Sequence, residues 1–98
     1  MKFFIIEVTY TAPLTAIEEA LPRHRAFLQT GYDAGNLLVS GPQNPRTGGV
    51  IVGKFTSLDE AHAFFAQDPY QQEQLASYRY IEFNPVKRAS FLDDWIIA

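Results

Sequence analysis

The chain has 98 residues, 47% of them hydrophobic and 14% aromatic, enough for one core but too few for a cofactor-binding domain beside a substrate domain. A net charge of −3 with no cluster of Lys and Arg removes the electrostatic term that dominates nucleic-acid affinity, which excludes nucleic acid as an expected partner. The chain has no cysteine, so disulfides, thiolate nucleophiles and thiolate metal sites are ruled out, and Glu7 cuts the first apolar run far short of a membrane span; a soluble, cytoplasmic protein with no membrane partner is expected.

Residues 2–9 are rich in Phe, Ile and Val and end at the loop around Ala12-Pro13, as expected of a central strand buried on both faces. Thr15 and Glu18 have the spacing of a capping box for a short helical turn over 16–20. Pro22 lacks an amide and disfavours helical geometry at Leu21, so the longer helix is expected to start at Pro22, run to about 34 and stop at Gly35. His24 shares one stripe of this helix with Leu21, Leu28 and Gly31, at i−3, i+4 and i+7, where an apolar residue is expected. An imidazole there needs a partner, and a place in the first helical turn would favour its neutral form.

A second strand over 37–39 is expected to end in Ser40-Gly41-Pro42. A loop with Pro45, Gly48 and Gly49 then turns the chain into a third strand over 50–55, completing a hairpin. Ser57 and Glu60 form another capping box, opening a helix over 58–67 with Leu58, Ala61, Phe64 and Phe65 facing inward. Asp68 precedes a proline and should leave helical geometry, while Pro69 can open a short helix toward Leu75. A fourth strand over 79–83 is closed by Pro85. In the tail over 88–98, Phe91, Leu92, Trp95 and Ile96 recur at helical spacing with Ser90 as cap. That stripe is expected to pack on its own subunit or a dimer partner, or else to close over the rim that holds His24.

This element order is that of the α+β ferredoxin-like βαββαβ unit, a four-stranded antiparallel sheet with both helices on one face and here a C-terminal helical extension. Strand polarity then brings His24, Asp68 and Ser40-Gly41-Pro42 to one rim. Strands one and three carry apolar residues at both parities, although a sheet with one solvated face alternates apolar with polar. The expected cover is a second copy packed sheet to sheet, giving a homodimer or a higher oligomer.

At the rim, Asp68 has two readings. It can pair with His24, and it is also a good N-cap for the segment at Pro69, with Gln71 completing a box; the two roles can coexist. His24 is either a core histidine satisfied by a carbonyl or a proton-transfer group whose tautomer Asp68 fixes. Ser40 lies in no nucleophile-elbow context, so covalent catalysis is not expected. Phe27, Tyr10 and Tyr70 are either pocket lining or core. His62 falls on an exposed helix side, and with two histidines in the chain no metal site is expected. Arg46-Thr47-Gly48-Gly49 can bind an anion, but the hairpin turn explains its glycines first.

The sequence resembles the YciI-like (YCII-related) family over residues 1 to about 87. The resemblance rests on Pro22 and His24 in Leu-Pro-Arg-His-Arg-Ala-Phe-Leu, on residues 35–42 ending in Ser40-Gly41-Pro42, on residues 55–61, and on Asp68-Pro69-Tyr70. It implies a ferredoxin-like subunit of a dimeric α+β barrel over 1–87, with 88–98 as an added tail, and an active site on a His24–Asp68 dyad. One member type is similar to a dehydrochlorinase acting on a chlorinated hydroxyquinol. The combined expectation is a small enzyme without cofactor or metal, using His24 and Asp68 for acid/base chemistry of isomerase, lyase or dehydrochlorinase type. Its small-molecule substrate would sit against Ser40, Gly41, Pro42 and Tyr70. The alternative is a non-catalytic ligand-binding or dimerising module.

Overall fold

The computed structural model describes residues 1–97. Its elements are β1 (Lys2–Tyr10), α1 (Leu14–Asp33), β2 (Leu37–Pro42), β3 (Gly48–Phe55), α2 (Leu58–Phe65), α3 (Pro69–Gln72), β4 (Ala76–Phe83), a 3₁₀ turn (Ser90–Leu92) and α4 (Asp93–Ile97). All strand pairs are antiparallel in the order β2-β3-β1-β4, the ferredoxin-like arrangement that the element order predicts. Phe4, Ile6 and Val8 of the central strand β1 face the helices and are almost fully buried together with Ile51, Phe55, Ile17, Ala20 and Phe65. Burial of this apolar set is the main stabilising term.

Helix α1 differs from expectation. It is one helix of 20 residues with Pro22 inside it, Pro13 as N-cap and no side-chain cap from Thr15. Ile17, Ala20, His24, Leu28 and Gly31 form its buried stripe, whereas Glu18 and Pro22 both lie on the exposed side. The carbonyl that loses its partner at Pro22 therefore belongs to a residue facing water, and packing of the opposite stripe carries the helix through the proline. Its far end is as expected. Gly35 takes φ 81°, and the amides of Gly35 and Asn36 donate to the carbonyls of Tyr32 at 3.0 Å and Gly31 at 2.9 Å, a Schellman closure. At Gly31 a Cβ would stand 2.8 Å from Leu37 and Phe64 side-chain carbons, so the glycine lets α1 press against β2 and α2.

Smaller boundary shifts also bear on the site. β2 takes in Ser40-Gly41-Pro42 and ends at Pro42, and β4 starts at Ala76, three residues before Arg79. α2 is capped as predicted, with the Glu60 amide donating to Ser57 Oγ at 3.1 Å, but it ends at Phe65. Leu58, expected inward, is 41% exposed.

On the sheet's outer face Phe3, Ile5, Val50, Val52 and Ile81 are half-buried, while Val39 and Phe83 are exposed. The tail covers one end of this face. Trp95 packs edge-on against Phe3, with centroids 5.7 Å apart, and its indole N–H donates to the Gly35 carbonyl at 3.2 Å. Lys54 lies 4.8 Å from the indole centroid and donates to the Trp95 carbonyl. The tail thus packs on its own subunit at the end where β1 begins and α1 finishes, so within one chain it does not close over the rim holding His24. Ser90 does not cap it, since Ala89 precedes the turn without a side-chain cap, and Phe91 of its stripe is exposed. No described helix is long and apolar enough to cross a membrane.

Candidate active site

The chain leaves α2 at Phe65, and Asp68, held in extended geometry by the following proline, caps α3. Its carboxylate is wholly buried and takes three donors. Oδ1 accepts from the Tyr70 amide at 3.0 Å and from His24 Nδ1 at 2.8 Å, while Oδ2 accepts from the Tyr78 hydroxyl. Capping and the histidine contact therefore coexist, on a single oxygen. A buried charge survives only when so partnered.

His24 lies at the middle of α1, not in a first turn, so the expected influence of a helix N-terminus on its charge does not apply. Its ring stacks face to face on Tyr70 at 3.8 Å and 4°. With Asp68 as acceptor, Nδ1 carries the hydrogen, which leaves Nε2 as a lone-pair site. Nε2 makes no hydrogen bond among the described residues, and the ring borders a cavity of about 370 Å³.

That cavity opens between the middle of α1 and the β2–β3 hairpin. Ser40, Gly41, Pro42 and Tyr70 all line it, as does Tyr10. Phe27 does not; it packs on Phe64 and Phe65 with centroids 4.6 and 6.1 Å away and belongs to the core. Ser40 Oγ is 2.6 Å from the Tyr32 hydroxyl, a partnered hydroxyl with no base beside it. His62 is exposed, as expected. Apolar walls from Val8, Leu28 and Ile51 complete the hollow, which is of the size and character of a small-molecule site.

Two residues of the site, Tyr78 and Arg25, escape sequence reasoning, and a third, Arg46, was read there but set aside. Tyr78 reaches Asp68 because it shares the helix-facing parity of β4, a strand whose predicted start lay beyond it. Arg25 and Arg46 line the cavity; Arg46 was legible as an anion ligand, but its glycine neighbours pointed first to a turn. Burial raises the Tyr70 phenol to about 12. Burial, then the Asp68 charge, raises Tyr78 further still. Both are O–H donors near neutrality.

Residues 1–84 match the model of the YCII-related domain. The chain is 32% identical over 77 residues to Protein YciI of Escherichia coli O6:H1 and of Shigella flexneri, covering 68% of this chain and 76% of each relative. Its fold is similar to that of 5-chloro-2-hydroxyhydroquinone dehydrochlorinase from Burkholderia phenoliruptrix AC1100, solved in complex with 2,5-dihydroxybenzoquinone. The TM-score is 0.69 at 22% identity, over 93% of this chain and 98% of that one. With a family match spanning most of its length and two relatives above 30% identity, this chain belongs to the YCII-related family.

Proposed function

We propose that the protein is a cofactor-independent acid/base enzyme of the cytoplasm, acting on a small metabolite, with His24 as the proton-transfer group and Asp68 as its positioning residue. The observation that carries this reading is the buried His24 Nδ1 to Asp68 Oδ1 bond of 2.8 Å beside a cavity that His24 lines. Nε2 takes a proton from the substrate, and the Asp68 carboxylate stabilises the imidazolium that forms. The Tyr70 amide and Tyr78 hydroxyl hold that carboxylate still. Returning the proton to another atom gives isomerisation; expelling a leaving group beside the deprotonated atom gives elimination. The dehydrochlorinase that shares the fold supports the second. Ser40, Gly41, Pro42 and Tyr70 would hold the substrate.

The test is His24→Gln assayed for release of chloride from 5-chloro-2-hydroxyhydroquinone and for turnover of unsaturated hydroxy acids. We expect kcat to fall about 10²- to 10⁴-fold with the fold and assembly intact. Unchanged turnover per folded molecule, with only a lower Tm, overturns the reading. It would favour a second one, a ligand-binding module without turnover, whose supporting observation is that Asp68 also caps α3 and anchors Tyr78.

The apolar outer sheet face, only partly covered by the tail, supports assembly as a homodimer with these faces together. Sedimentation should give a dimer mass at micromolar concentration, and a monomer mass contradicts it.

A further inference from the structure

The ionisable lining of the cavity is one-sided. Besides His24 and two phenols it presents Arg25 and Arg46 and not one carboxylate, in a chain whose net charge is −3. The nearest acids are otherwise engaged. Asp68 is engaged by three donors, His24 among them, and Glu18, exposed to solvent, accepts from one terminal nitrogen of Arg46 at 3.2 Å. Arg25 has no ion-pair partner among the described residues.

Two donors at the cavity are also unspent. Arg46 Nε and the Tyr70 hydroxyl are each buried from solvent and make no hydrogen bond among the described residues. Leaving a buried donor unpaired costs about 1–3 kcal/mol, so native structures pair such groups with protein, water or ligand. Both residues border the cavity, and Tyr70 carries the ring on which His24 stacks. Its hydroxyl is a phenol and protonated near neutrality, the more so because burial raises it to about 12, so it offers a hydrogen and not a negative charge.

We infer that the cavity is built for a small organic anion, with an oxyanion of a carboxylate, acidic phenol or enol seated between Arg46 Nε and the Tyr70 hydroxyl, and its apolar body against Val8, Leu28 and Ile51. The inference rests on the reading of this cavity as the ligand site and names the charge class that it accepts. A planar oxyanion suits the guanidinium, which donates in a fixed fork, better than a lysine would. Glu18 engages one terminal nitrogen of Arg46 and the Tyr10 hydroxyl stands beside the same guanidinium, while Nε is left without an acceptor among the described residues. In this arrangement His24, stacked on Tyr70, meets a substrate whose charge is already neutralised.

Isothermal titration with two matched pairs tests this: benzoate against benzamide, and 2,5-dihydroxybenzoquinone against its dimethyl ether. The native protein should bind each anion more tightly than its neutral partner. Arg46→Gln should weaken anion binding about ten- to a hundredfold and leave the neutral probes unchanged, with circular dichroism confirming the fold. Arg46→Lys, which keeps the charge but loses Nε, should recover only part of the affinity. No preference of the native protein for the anions overturns the inference, and so does equal binding of the anions by Arg46→Gln and the native protein. If Arg46→Gln binds the anions normally while His24→Gln loses turnover, the anion subsite fails and the acid/base reading stands. If anion selectivity depends on Arg46 but His24→Gln turns over normally, the reverse holds.

Discussion

Asp68 and Lys54 are both charged and both buried, at opposite ends of the same sheet, yet they are secured in different ways. Asp68 is wholly buried and receives donors from three separate elements, α1, α3 and β4. Lys54 is 8% exposed and rests on one tail carbonyl and the face of one indole. The first charge sits at a junction where elements distant in sequence meet, so its removal strands groups in all of them. The second is covered by a short terminal segment, and little else depends on it. A buried ion pair or charge is weak evidence for stability in itself; what distinguishes the two is how many neighbours would be left unsatisfied.

The largest effect should come from Asp68→Ala, which strands an imidazole N–H, an amide and a phenol together. We expect a loss of about 3–5 kcal/mol in urea denaturation, and a loss under about 1 kcal/mol would dissolve the contrast with Lys54. Next comes an alkaline effect. The phenols of Tyr70 and Tyr80 are raised to about 12 from 10.0 by burial, and Tyr78 is raised beyond them. Between those limits the unfolded chain binds fewer protons than the native one, so stability is intact below pH 10 and declines as pH rises toward 12. Urea midpoints that do not move between pH 9 and 11 would contradict this. Tyr78→Phe removes one of the three donors to Asp68 and should cost about 1–3 kcal/mol, with the pH decline reduced in the same protein. Gln74→Gly should be stabilising by about 0.5–1 kcal/mol, since Gln74 closes α3 at φ 56°, a left-handed conformation that glycine adopts freely. Smallest of all should be Lys54→Met, within about 1 kcal/mol of the native protein or above it; a loss as large as that of Asp68→Ala would erase the distinction.

The strand order and the meeting of His24 with Asp68 were legible because both follow from coarse signals. The unbroken apolar run of β1 places it centrally, and strand polarity alone selects the rim that α1, α2 and β2 share. Rules of local geometry did less well where tertiary packing outweighs them. Pro22 reads as a helix start, yet the stripe from Ile17 to Leu28 has enough core behind it to carry the helix past a proline turned to solvent. Tyr78 was hidden, and Arg46 was set aside in favour of a hairpin turn, for another reason. Tyr78 matters through the register of β4 against β1, where it stands opposite Val8, and strand starts are poorly marked when Ala and Ser lead them. Arg46 belongs to a hairpin loop whose side-chain direction depends on how the loop folds back toward α1. The tail shows the same limit: its spacing foretells a helix, whereas its landing place beside Phe3 and Gly35 is set by surfaces built elsewhere in the chain.

The parallel contact between His24 and Tyr70 also makes the site observable in solution. A proton lying above the centre of a phenol ring is shielded by the ring current, so the carbon-bound protons of this imidazole should resonate upfield of their usual positions in a magnetic resonance spectrum. The chain has two histidines, and the other is exposed, so the shifted signals are assignable with a single substitution at His62. Titrating them reads the occupancy and protonation of the site directly, without a substrate in hand.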